Sequence, residues 1–423
     1  MVGIRQRLSA ARPHAELFPI RRHALGALAL ATLVLGLVLA YQRAWTINLN
    51  IGRDEGYAND TPFVRGFYEP EKTADGLRYR WTSLDAALEF ANLPARPYLL
   101  SLSQISGEPA TVGGVGAAFR LEAGRTLHLL AVPEQGRLLV PIRVERPVSA
   151  PGDERTLGAA LTGGRLSAVA GGAPPPAPLL AWSLAMAALW LVVWGLGGGL
   201  VEAGLACGLL GAGAIAATVA APERASLAAG AIVQTTLYGL AFAALASRLF
   251  PRIAGWLDGG AAAPEEDRAE HAAYLRWLIL AATAVWALKL GGRLLPGSMP
   301  GDIGFHRNRV WMMMGGQLYN PSLHRGVPFP YPPALYALIA PLTRTGFSPE
   351  WLLQLAAAAC EALALPLIFG LGRRATGSPH AGLIAAVLYG IFPAGFMTTV
   401  RNWAKMCESN DQAVVIKPAG KIP

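Results

Sequence analysis

The sequence predicts a polytopic α-helical membrane protein of about seven spans with an inserted extracytoplasmic all-β sandwich domain. Three observations carry that expectation. The 423 residues are 53% hydrophobic and only 15% charged, where a soluble domain carries about a quarter charged residues. The deficit is concentrated in apolar runs of roughly 18 or more residues, the length a helix needs to cross a bilayer. Between the first and second runs the chain changes character, to short alternating stretches punctuated by glycine and proline.

Residues 1–23 carry Arg5, Arg7, Arg12, Arg21 and Arg22 against one acid, Glu16. Basic flanks stay in the cytoplasm, so the first span, residues 24–41, exits to the outside. No small-residue cleavage site follows it, which favours an uncleaved anchor. Residues 42–178 form the outward β domain. Leu77–Trp81, Leu99–Ile105, Ala117–Leu121, Leu127–Val132 and Leu138–Val144 alternate with a period of two, and turn signals every ten or so residues suggest a sandwich. Gly163–Pro178, ending in a proline cluster, reads as a linker. Cys207 and Cys360 lie in apolar runs and Cys407 in the tail, so the outward domain holds no disulfide and stands on its own core.

Residues 179–295 supply spans two to five: Leu179–Val201, Ala203–Ala221, Ala225–Ser247 and Ala273–Leu295. Pro222-Glu223-Arg224 makes the turn between the second and third of these. The polar segment Arg248–Arg276 falls inside by counting spans, where its arginines belong. Residues 296–348 then form a second outward loop. Its apolar stretch Tyr331–Leu342 is too short to span and reads as an interfacial or re-entrant helix. Residues 349–399 hold spans six and seven, Pro349–Leu371 and Ala381–Thr399, with Arg373-Arg374 between them on the cytoplasmic side. The tail, residues 400–423, is atypical. Three of the five lysines, Lys405, Lys417 and Lys421, lie in it, while nearly all arginines precede it. That shift in usage suggests a truncated or out-of-frame end as readily as a native polar tail. The net charge of +9 reports topology in a cytoplasmic-membrane protein, and without a basic patch interleaved with aromatics it gives no nucleic-acid site.

The second outward loop concentrates the chemistry. It runs Met299-Pro300-Gly301-Asp302-Ile303-Gly304-Phe305-His306-Arg307-Asn308-Arg309, continues through Gly315-Gly316-Gln317-Leu318-Tyr319, and reaches Pro330-Tyr331-Pro332-Pro333-Ala334-Leu335-Tyr336. In a helix beginning near Gly301, Asp302, His306 and Arg309 stand at i, i+4 and i+7 on one face. An acid, an imidazole and a guanidinium at a membrane surface suit general-base chemistry beside a phosphate-binding cation. The plainer alternative is a helix cap by Asp302 and headgroup contacts by the basic residues. Asp302 and His306 also form a thin candidate pair for a divalent metal.

The order of these motifs resembles the first outward loop of C-type membrane glycosyltransferases, such as the protein O-mannosyltransferases and the lipid A aminoarabinose transferase. The resemblance covers about Ala273–Thr399. It implies an enzyme that moves a sugar from a polyprenyl-phosphate lipid to an acceptor on the outer side of the membrane. By it, Asp302 orients or deprotonates the acceptor hydroxyl, and Arg307 or Arg309 holds the phosphate. Tyr319, Tyr331 and Tyr336 belong to the same substrate-facing loop. The aminoarabinose group carries an acid and a phosphate-binding lysine before the paired prolines. Pro330 and Tyr331 stand there instead, which leaves His324 and Arg325 as the nearest replacements. The family bundle has eleven or more spans, so the resemblance implies later ones missing from this sequence.

Two other readings compete. One is a non-catalytic membrane protein whose β domain binds a glycan or a protein partner. The other is a transporter, which lacks a visible inverted repeat. Phe67-Tyr68 and Trp81 suit a sugar-stacking face, although such aromatics more often form a core. Glu361 sits mid-span, where an acid packed between helices is the simpler account. Lys289, near an outer helix end, reads as snorkelling to the interface.

Overall fold

The computed structural model describes residues 17–53, 60–114, 116–149, 153–169, 171–257, 268–294, 303–317 and 333–391. They divide into two compact units. One holds residues 34–180 and 212–228, the other residues 181–211 and 229–391 with the start of the first helix.

The first unit is built on a sheet. Helix α1 (Leu17–Gln42) leads into β1 (Thr46–Leu49), and a 3-10 turn (Thr61–Phe63) precedes β2 (Val64–Lys72) and β3 (Arg78–Phe90). There follow β4 (Tyr98–Gly107), β5 (Ala110–Gly113), β6 (Ala118–Leu121), β7 (Thr126–Ala131), β8 (Leu138–Val144) and β9 (Ala159–Ala168). The expected β domain is present, but its strands join in one antiparallel sheet of nine where the alternation suggested two facing ones. The main path runs β6-β5-β8-β3-β9-β4-β7, with β1 added to β9 and β2 to β3. Long strands cause this. The 13-residue β3 pairs with β8 through Asp85–Phe90 and with β9 at Arg80 and Trp81. Register shifts in the β2–β3 and β4–β9 ladders bend it, as bulges do. The turn after β5 comes back against β7: a Cβ on Gly114 would sit 3.6 Å from the Leu130 carbonyl. The sheet is therefore nearly closed. Alternate residues of β8 point inward, and Leu88, Tyr98, Leu100, Leu102, Val112, Ile142, Leu161 and Leu166 form a fully buried core.

A buried ion pair lies against the sheet. Arg80 donates from Nε to Asp60 Oδ2 and from Nη2 to Asp60 Oδ1, both at 2.8 Å, and from Nη1 to the Tyr68 carbonyl at 2.9 Å. The Gly52 amide adds a 2.6 Å bond to Asp60 Oδ2. Such a pair is tolerated inside only when its remaining hydrogen-bonding capacity is met. Gly52 has φ +94°, and a Cβ there would meet the Tyr79 backbone at 2.5 Å, so only glycine brings that amide to the carboxylate.

Entry and exit of the domain are side by side. Thr46 of β1 faces Ser167 of β9, with their hydroxyls 3.1 Å apart. Arg96 ties the entry to α1: its Nη1 donates to the carbonyls of Tyr41 and Arg43 at 3.2 and 3.1 Å, and its guanidinium lies over Trp45. A cation at helix C-terminal carbonyls is favourable. The short α4 (Pro222–Leu227) packs in the same unit, where Ser226 bonds Tyr41 Oη at 2.9 Å and accepts from Asn92 at its carbonyl.

The helices are α2 (Pro176–Gly195), α3 (Leu200–Ala220), α5 (Ala229–Leu257), α6 (Arg268–Leu294), α7 (Ile303–Met314), α8 (Ala334–Ile339), α9 (Pro349–Thr376) and α10 (Pro379–Ile391). Six described helices are long and apolar enough to cross a membrane: Ala24–Gln42, Pro176–Gly195, Leu200–Ala220, Ala229–Leu257, Ala272–Gly291 and Pro349–Thr376. Their outer surfaces carry Leu28, Leu191, Leu209 and Leu371, all more than half exposed, the inside-out pattern of a lipid solvent. The seventh predicted run is described only as far as Ile391, and its remainder lies outside the described residues. Helices α5 and α6 run into the predicted Arg248–Arg276 loop at both ends.

Helices α5, α6, α9 and α10 pack around Phe242, Phe250, Leu278, Leu290, Leu365 and Phe369, with Trp286 stacked on Phe242 at 4.7 Å. Lys289 does not reach out to an interface: its side chain is 5% exposed and its Nζ is 2.6 Å from Glu361 Oε2 of α9. Neither atom bonds a further group among the described residues.

Candidate active site

The segment expected to form the second outward loop contributes two short helices at the head of α9. Helix α7 begins at Ile303, directly after Asp302, and α8 directly follows Tyr331-Pro332-Pro333. Paired prolines disfavour helix before them and are compatible with its start after them. At six residues α8 is about 9 Å long, and a 3-10 turn over Ala340–Thr345 follows it. Ser348 then caps α9, its hydroxyl accepting from the Trp351 amide at 3.2 Å, as a serine followed by proline at the first helical position is suited to do.

The three helices close on a small apolar cluster of Val310, Tyr336, Ile339, Ala340, Leu352 and Leu353. On its rim His306 Nδ1 lies 2.8 Å from the Tyr336 hydroxyl, and the two rings stack at 6.1 Å. This links α7 to α8 across about thirty residues of intervening chain. Arg309, one turn after His306, is buried to 4% exposure, with its guanidinium 4.6 Å over the Phe305 ring and its Nη1 3.8 Å from Met312 Sδ. Arg307 points elsewhere and pairs with Glu350 Oε1 at 3.1 Å.

The predicted residues therefore separate. His306 and Tyr336 come together, while Arg309 is buried on its own helix over Phe305 and beside Met312. Arg307 is on another face and its charge is balanced by Glu350. Asp302, Tyr319, His324, Arg325 and Tyr331 lie outside the described residues, and with Asp302 goes the pair considered for a metal. Among the described residues no three His, Cys, Asp or Glu side chains converge as a metal site. The sequence reading missed Glu350, although an acid in the first turn after Ser348-Pro349 is the usual complement to a helix N-terminus.

Chemically, the cluster offers an imidazole oriented by a phenol, with the buried Arg309 guanidinium on the same helix as the imidazole. The imidazole can relay a proton or bond a sugar hydroxyl. A guanidinium near a low-dielectric surface attracts phosphate more strongly than one in water. No protein-family model matches this chain, and no curated protein is significantly similar to it.

Proposed function

We propose that the chain is a C-type membrane glycosyltransferase that moves a sugar from a polyprenyl-phosphate donor to an acceptor on the outer side of the cytoplasmic membrane. The observation that carries the reading is the order of the loop. Asp302 stands immediately ahead of α7, Tyr331-Pro332-Pro333 immediately ahead of α8, and the His306–Tyr336 contact joins the two helices. The topology expected for it has seven spans, the seventh beginning in α10, with the N-terminus cytoplasmic. The shared packing of α4 and the β domain in one unit supports that parity, because counting spans puts both outside.

In the reaction, the acceptor oxygen attacks the anomeric carbon and gives its proton to the Asp302 carboxylate. The bond from that carbon to the phosphate oxygen breaks, and polyprenyl phosphate leaves with the electron pair. The anomeric configuration inverts. Phosphate is a good leaving group, so positioning and charge stabilisation suffice for much of the catalysis. Arg309 and the basic residues His324 and Arg325 serve the phosphate, and His306, Tyr319, Tyr331 and Tyr336 line the sugar and acceptor.

The test is transfer of labelled sugar from a synthetic polyprenyl-phosphate donor by the chain in proteoliposomes, comparing the wild type with Asp302→Asn. General-base removal lowers transfer by about two orders of magnitude or more, while helix capping alone leaves it intact, since Asn caps as well as Asp. Transfer by Asp302→Asn equal to that of the wild type removes Asp302 from the mechanism and overturns the reading.

A further inference from the structure

The first half of strand β3 turns polar residues toward the core, ahead of the apolar Ala86, Leu88 and Phe90 on the same face. Arg80 and Thr82 point inward, while Tyr79 and Trp81 stand on the outer surface of the sheet, half-buried. Trp81 is held in place there. It lies against Gly107, where a Cβ would come within 2.9 Å of its Cζ3, and that glycine has φ +95°. Tyr79 meets Trp81 edge to face at 6.2 Å. Tyr68 of β2 belongs to the same surface, and Arg155 lies 5.4 Å over its ring.

Fixed polar groups frame these rings. Arg155 donates from Nε and Nη2 to the two oxygens of Asp153, at 2.9 and 2.7 Å, and its Nη2 is 2.7 Å from Glu71 Oε1. Tyr79 donates its hydroxyl to Glu71 Oε2 at 2.8 Å, and Tyr68 donates to the Thr156 carbonyl at 3.2 Å. The frame stays partly open, with the Glu71, Arg155 and Asp153 side chains 30%, 36% and 23% exposed. It carries two negative charges and one positive.

We propose that this face of the β domain is a carbohydrate-binding site for neutral or amino-bearing hexose chains. Pyranose rings have apolar faces that stack on aromatics, and equatorial hydroxyls that bond bidentately to carboxylates and guanidinium. The net negative frame welcomes an amino sugar and repels a uronic acid. The site is separate from the loop of α7 and α8 and stands whether or not that loop transfers sugar.

Isothermal titration of the full chain in detergent tests it, with chitohexaose, its deacetylated hexamer, maltohexaose and a hexagalacturonate as probes. At least one neutral or amino hexamer binds, and the hexagalacturonate does not. Trp81→Ala and Glu71→Gln each weaken the bound probe by about tenfold or more. Trp81 packs on the backbone, so Tyr68→Ala is the third variant, read alongside unfolding temperature. Loss of binding in a variant that unfolds like the wild type supports the site. Absence of binding to every hexamer at millimolar concentration, binding unaltered by Glu71→Gln and Tyr68→Ala, or equal binding of the hexagalacturonate overturns it. Self-association that Arg155→Ala abolishes, with no glycan bound, assigns the face to a protein contact and equally overturns it.

Discussion

Lys289 of α6 and Glu361 of α9 form an ion pair at 2.6 Å inside the helical unit, and each is the other's partner across 72 residues of chain. Two charges in apolar helices are each expensive alone; together they join α6 to α9 at one register. A buried pair adds less stability than its loss removes, because breaking it strands a charge. Lys289→Met or Glu361→Leu alone therefore destabilises the chain by about 3 kcal/mol. The double variant recovers most of that loss. Thermal unfolding in detergent of all four forms gives the cycle, and additive single losses would rule out the coupling.

The Asp60–Arg80 pair behaves likewise, with a stricter geometry. Asp60→Asn keeps the size but replaces an acceptor of Arg80 and the Gly52 amide by a group that also donates. We expect a loss of about 3 kcal/mol, confined to the β unit and visible as earlier loss of its strand circular dichroism signal. An unchanged transition would mean that water satisfies Arg80 instead.

In the loop, Tyr336→Phe removes only the hydroxyl that holds His306. One neutral hydrogen bond is worth about 1 kcal/mol, so transfer in the proteoliposome assay falls roughly fivefold and the fold is retained. Activity equal to the wild type would reduce the contact to packing.

Acid should weaken one exposed link in a defined direction. Hydrogen bonds from Arg155 hold the Asp153 carboxyl down at about 2, below its ordinary value near 4. A depressed acid stabilises the fold above its unfolded pKa and loses that contribution as pH falls through the folded value. The difference in unfolding temperature between the wild type and Asp153→Asn is thus full at pH 5 and shrinks toward pH 2. A difference independent of pH would contradict the pairing.

Topology is checked by cysteine labelling with a membrane-impermeant reagent at Gly107 and Arg373, in a background without Cys207, Cys360 and Cys407. Gly107 is φ-restricted, so the neighbouring Glu108 is the better site. Labelling at Glu108 from outside and at Arg373 only after permeabilisation fits the seven-span expectation. Both labelled from the same side would refute it.

What the sequence determined by itself was local. Apolar run length marked seven runs, six of which form described helices that can span, and period-two alternation marked parts of β3, β4, β6, β7 and β8, because each depends on neighbours a few residues apart. The glycine-rich Gly163–Ala168, read as the start of a linker, is instead the end of β9, paired with β1 and β4. What only the tertiary structure decided was partnership. Alternation in Tyr79-Arg80-Trp81 defines two faces but not which is inside, and hydrophobicity alone would bury the aromatics. The buried carboxylate of Asp60, reached through a glycine turn, drew Arg80 in and left Tyr79 and Trp81 outside. Likewise Lys289 and Glu361 each read as isolated, and Arg307 and Arg309 as equivalent. The pairing of α6 with α9 neutralised the first two, while Glu350 claimed Arg307 and Arg309 was buried over Phe305. Desolvated charges choose partners by position in space, and that position is set by the packing of whole helices and strands.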